Sequence, residues 1–96
     1  MRLRIYSVYD SAAQFYGSPF CARAEGDALR SFIEFVSDPK SVGFKYPAQF
    51  SLAFLGEIED TSGVITALSG GPSTVISGSQ CVQEVSNGDG KVVGVQ

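Results

Sequence analysis

The chain contains no histidine and no tryptophan. Without histidine it lacks the commonest general base near neutral pH and the commonest metal ligand, so catalysis would need another device. Its two cysteines, Cys21 and Cys81, are too few for a disulfide scaffold and read as small apolar residues kept reduced in a cytoplasmic protein. No apolar run approaches the roughly 20 residues that span a bilayer. Met1 to Tyr9 mixes Arg2 and Arg4 into an alternating pattern with no signal-peptide core. The sequence therefore reads as soluble and unexported, with no membrane partner.

Positive charge is also scarce. Lys and Arg number 7 against 10 Asp and Glu, a formal net charge of −3, which argues against sequence-independent nucleic-acid binding by the whole surface. The distribution is uneven. Up to residue 56 six bases meet five acids, whereas beyond it Lys91 alone faces five acids. The acidity thus belongs to the C-terminal part, and any phosphate contact belongs to the N-terminal part.

The residues present suffice for one domain: 96 residues, 44% hydrophobic and 11% aromatic, support a modest packed core. Arg2 to Tyr9 alternates as a strand, with Leu3 and Ile5 opposite Arg2, Arg4 and Tyr6. Asp10 and Ser11 end it, and Gly17-Ser-Pro19 interrupts the next segment, leaving a short second strand near Ala13–Tyr16 or Phe20–Ala22. Glu25 to Val36 reads as a helix, because Ala28, Leu29, Phe32, Ile33 and Val36 recur on one face. Glu25 and Asp27 suit the positive end of its dipole, and Asp38-Pro39 stops it.

Phe50, Leu52, Phe54 and Ile58 alternate along a further strand, and Asp60-Thr-Ser-Gly63 turns it into Val64–Leu68. The expected fold class is α+β: a mostly antiparallel sheet of three to four strands in β-(β)-α-β-β order, with one helix packed on one face. The α+β domain is expected over residues 1–69. Ser69-Gly-Gly-Pro72 then opens a Gly/Ser-rich stretch, 70–96, read either as a tail or as an additional hairpin. The hairpin would run from Cys81–Val85 through Ser86-Asn-Gly-Asp-Gly90 to Lys91–Val95.

The succession Ile5-Tyr-Ser-Val-Tyr-Asp-Ser11, Pro19-Phe20, Ala28-Leu-Arg-Ser-Phe32 and Asp38-Pro39 continues through Lys45-Tyr-Pro47, Phe50-Ser-Leu52, Leu55-Gly-Glu57 and Asp60-Thr-Ser-Gly63. In order and spacing it resembles the small nonstructural protein of gokushoviruses, single-stranded DNA phages within the Microviridae. The resemblance covers roughly the first 70 residues. It departs at Ala24, where the pattern has a capping Asn, and throughout the stretch after Gly71. It implies a protein made in the host bacterial cytoplasm, absent from the mature capsid, and acting in viral single-stranded DNA synthesis or packaging. The implied partners are single-stranded DNA or phage replication and packaging proteins. It brings no catalytic residues.

The candidate chemistry is accordingly that of binding, with no cofactor and no enzymatic activity expected. Cys21 has no histidine to activate it. Glu57, Glu59 and Asp60 have the oxygen ligands a divalent cation needs, but fit a solvated hairpin edge better. Gly70-Gly71 lacks the spacing of a phosphate-wrapping loop.

A single-strand platform is the sharper reading, with Arg2, Arg4 and Lys45 on phosphates and Tyr6 and Tyr46 stacking on bases, among Tyr9, Phe15, Tyr16 and Phe44. The plainer reading is that these aromatics fill the core of a tryptophan-free domain. The sheet face left uncovered by one helix would suit self-association into a homo-oligomer. A protein-protein adaptor that touches no nucleic acid is the alternative function.

Overall fold

A computed structural model describes residues 1–82. The long first strand, β1 (Arg2–Asp10), is followed by the short β2 (Phe15–Tyr16) and β3 (Phe20–Ala22), then by helix α1 (Glu25–Ser37) and a single turn, α2 (Val42–Lys45). A 3-10 turn at Pro47–Gln49 leads into β4 (Phe50–Glu59), β5 (Ile65–Ala67) and β6 (Ser73–Ser77). Every strand pairing is antiparallel.

The α+β class holds, but among the described residues the sheet has six strands rather than three or four, in the order β-β-β-α-β-β-β. The excess comes from interrupted columns. β1 and β4 pair along their whole length at the centre. On the outer side of β1, β3 pairs with Arg4–Tyr6 and β2 with Tyr9–Asp10, so both positions expected for a second strand are occupied. Between them lies Gly17-Ser-Pro19, where proline has no N–H to offer a ladder. On the outer side of β4, β5 and β6 share a column in the same way. Gly71, at φ +85°, turns the chain between them.

α1 begins after Ala24, which makes no side-chain cap hydrogen bond; the first-turn acids Glu25 and Asp27 remain to complement the dipole. It ends where the Asp38 N–H donates to the Glu34 carbonyl and Pro39 follows. Ala28, Phe32 and Val36, four residues apart, are its buried residues. They meet Tyr6, Phe50, Leu52 and Cys81 to form the core, each large apolar side chain contributing about 1.5–3 kcal/mol. Gly43 of α2 is required by close packing, because a Cβ there would lie 2.5 Å from the Phe35 ring. The described residues beyond Ser69 belong to this body: β6 pairs with Ser51–Phe54, and Cys81 lies in the core. Residues 78–82 are helical, so Cys81 and Val82 do not begin the strand of the expected second hairpin. The rest of that hairpin lies outside the described residues.

One irregularity decides which side chains share a face. Ile5 pairs with Gly56 but Tyr6 with Phe54, so Leu55 is an extra residue on β4, a bulge. Before it, Phe50, Leu52 and Phe54 face α1 with Val8 and Tyr6. After it the parity inverts: Glu57 and Glu59 lie on the α1 side, and Ile58 on the opposite one. The expected grouping of Ile58 with Phe54 is therefore broken. Gly56 makes the bulge feasible, because a Cβ there would collide with the backbone of Thr66 and Ala67 on β5.

Candidate nucleic-acid interface

Arg2, Arg4 and Tyr6 share a face of β1, and that face is the one packed by α1. Tyr6 is fully buried in the core. Its ring lies 6.1 Å from that of Phe20 and 5.3 Å from that of Phe54 between centroids. Tyr6 therefore offers no ring face to a base, and it belongs with the core-forming aromatics. Alternation along β1 was legible in the sequence; the side covered by the helix was not, since an aromatic with a polar tip suits either.

Arg4 is held by the same cluster. Its Nε donates to the Tyr6 hydroxyl at 2.7 Å, and its guanidinium carbon lies 4.1 Å from the Phe54 ring centroid. Its Nη2 is 3.6 Å from Glu25 at the start of α1. The Tyr6 hydroxyl, and more weakly the charges of Glu25 and Glu57, hold its pKa above the usual arginine value. Arg2 is exposed but paired, with Nη1 at 2.9 Å from Glu57. The N-terminal amine meets Glu59 at 2.7 Å and Asp60 at 2.8 Å. The cations at this end of the sheet are thus compensated by carboxylates, which a phosphate would have to displace.

Lys45 and Tyr46 lie at the other end. β1 runs about 20 Å from Arg4 to Asp10 at roughly 3.3 Å per residue. At its far end the Ser11 N–H donates to the Gln49 carbonyl at 2.8 Å, fixing the segment that carries Lys45 and Tyr46 there. The five candidate residues consequently form two groups rather than one platform.

The second group is richer than the sequence suggested. α2 is started by the Ser41 hydroxyl, which accepts from the Phe44 N–H at 3.1 Å and donates to the Phe35 carbonyl. This turn leaves Phe44 49% and Tyr46 53% exposed. At the same end, β2 presents Phe15 at 58% and Tyr16 at 43%, the latter with its ring 4.7 Å from that of Tyr9. Four half-exposed aromatics thus gather at this end, with Phe15 and Tyr16 on opposite faces of β2.

Among the described residues, neither Lys45 nor Lys40 has a carboxylate at ion-pair distance. Asp10 and Asp38, the acids nearby in sequence, are turned onto backbone N–H groups of Ala12, Ala13 and Lys40. Lys40 was the residue sequence reasoning passed over. Its signal was its position in the same loop, five residues before Lys45.

The carboxylates singled out for a cation are engaged otherwise. Glu57 pairs with Arg2, while Glu59 and Asp60 pair with the Met1 amine. Among the described residues no three acid, thiol or imidazole groups are placed to share a metal ion. Cys21 is exposed on β3, on the face away from α1, opposite Ile5. No described helix is long and apolar enough to cross a membrane.

A family model described as "Phage ORF5 protein" matches residues 3–81 of this chain. No curated protein and no solved structure matches it.

Proposed function

Because the chain belongs to the phage ORF5 protein family, we propose that it is a nonenzymatic accessory protein of a gokushovirus-like phage that binds single-stranded DNA during viral DNA synthesis or packaging in the host cytoplasm. The observation that carries this reading is the aromatic end of the sheet, where Phe15, Tyr16, Phe44 and Tyr46 stand half-exposed with Lys40 and Lys45. Unpaired bases stack on such rings without regard to sequence, and the lysines meet the backbone phosphates. Arg2 and Arg4 fit the role less well than Lys45, since Glu57 and Glu25 already occupy them. The net charge of −3 confines contact to this end, because phosphates are repelled elsewhere.

Fluorescence anisotropy of a labelled oligothymidine, titrated with the full chain at several NaCl concentrations, tests the reading. A half-covered ring is expected to give the low end of the roughly 1–3 kcal/mol measured per stacked base. Phe44→Ala and Tyr46→Ala should therefore each weaken binding about fivefold to tenfold. Lys45→Ala should lower the slope of log affinity against log salt by about 0.7, the value per single-strand phosphate. Arg2→Ala should change little. Absence of binding at low salt would overturn direct DNA contact and leave the adaptor reading.

A further inference from the structure

The face of the sheet turned away from α1 presents, in register, a row of Leu3, Ile58 and Ile65 and a second row of Cys21, Ile5, Gly56 and Ala67. Beyond these, Ser7 pairs with Ala53, and Tyr9 lies between Tyr16 and Ser51. Thr74 and Ser77 of β6 complete the set. Among the described residues, no strand residue on this face carries a charge, although 18% of the chain is charged. The charged residues of β1 and β4, namely Arg2, Arg4, Asp10, Glu57 and Glu59, all point to the other side. Ile65 is 65% exposed, and Leu3, Ile5 and Ile58 are only partly covered. α1, α2 and Cys81 all pack on the α1 side, so no described helix covers this one.

We propose that this face is the interface of a homodimer, in which two copies stack sheet on sheet about a two-fold axis. A chain of net charge −3 repels its own copy wherever acids are displayed, and an uncharged face lets two copies approach with no like-charge pair buried. The size suits a weak, reversible contact. Four columns about 4.8 Å apart and strands of roughly nine residues at about 3.3 Å give a footprint of at most about 500 Å² per copy. Two copies then bury no more than about 1,000 Å², the low end for protein interfaces. Ser7, Ala53 and Gly56 are already buried at the middle of the face, so a partner would meet the larger Leu3, Ile5, Ile58 and Ile65 around them when the sheets cross. The aromatic end lies outside this contact except for Tyr16, so the dimer would carry two such ends.

Sedimentation equilibrium of the full chain without DNA, over about 1–300 µM, tests the proposal independently of strand binding; that micromolar range is where an interface of minimal size is expected to dissociate. The expected result is a reversible monomer–dimer equilibrium. Ile65→Glu, on an exposed edge where folding is not at stake, should weaken it at least tenfold. Cys21 provides a second readout, since it lies within the face: its alkylation should slow as concentration rises. A monomer throughout, with Cys21 equally reactive at every concentration, would overturn the proposal. So would a monomer with Cys21 protected at every concentration, which would point to a covering segment from the same chain. A dimer indifferent to Ile65→Glu would refute this face as its interface.

Discussion

Replacing Gly56 with alanine should be strongly disruptive for a change of a single methyl group. The added Cβ would strike the Thr66 carbonyl oxygen and would lie 3.0 Å from the Ala67 Cα and 3.1 Å from the Thr66 carbonyl carbon, all backbone atoms that no rotamer change can move aside. The position also has φ +158°, which side chains other than glycine's rarely adopt. Overpacking of this kind costs about 1–3 kcal/mol, and a strained backbone conformation about 1–3 kcal/mol more. Because lifting β5 relieves part of both, the net loss is expected at about 2–4 kcal/mol. Three residue pairs, Gly56 with Ala67, Glu57 with Thr66 and Ile58 with Ile65, would loosen together.

Urea unfolding followed by far-ultraviolet circular dichroism is the assay. With an m-value of about 1–1.5 kcal/mol/M for a small domain, the midpoint should fall by roughly 2 M. Gly26→Ala is the control, since nothing lies within 4 Å of its added Cβ in the first turn of α1, and it should gain about 0.5 kcal/mol from helix propensity. A loss below about 0.5 kcal/mol for Gly56→Ala, within the range of ordinary surface substitutions, would refute the claim that the bulge requires glycine.

Tyr6→Phe should leave the core packed but remove the acceptor of the Arg4 bond, lowering stability by about 1 kcal/mol because Arg4 retains access to water. It should leave oligothymidine affinity unchanged, and a drop in affinity without loss of fold would restore Tyr6 to the binding surface. The contact between the Met1 amine and Glu59 predicts opposite titration shifts: the amine above its ordinary value, chiefly through Asp60 and Glu59, and the Glu59 carboxyl below its own through the amine. A depressed carboxyl contributes above its unfolded pKa and ceases to as pH falls through the folded one; a raised amine contributes below its unfolded pKa and ceases to as pH rises through the folded one. The contact should therefore persist across neutral pH and weaken at both extremes, which nuclear magnetic resonance titration of Glu59 would follow, with unshifted values refuting it.

Periodicity alone was enough to make α1 and the pairing of β4 with β5 legible, because Ala28, Phe32 and Val36 or Phe50, Leu52 and Phe54 repeat at intervals that backbone geometry converts into a face. The turn residues at Gly17-Ser-Pro19 and Asp60-Thr-Ser-Gly63 likewise carry their own conformational limits. The charge bias toward an acidic C-terminal part, and the identities of the aromatics and Lys45 that gather at one end, were also legible in the sequence.

Position relative to the helix was not. The Leu55 bulge inverts the parity of β4 and sends Ile58 away from Phe54, and it arises from the close approach of β5 to Gly56 rather than from any local preference. Tyr6 became a core residue because α1 packs on its side of β1, while Tyr46 stayed exposed because α2 ends there. Alternation specifies two faces of a strand without saying which one is covered. That choice belongs to the contacts between elements, and here it separates the buried Tyr6, with Arg4 bonded to it, from the exposed Lys45–Tyr46 end.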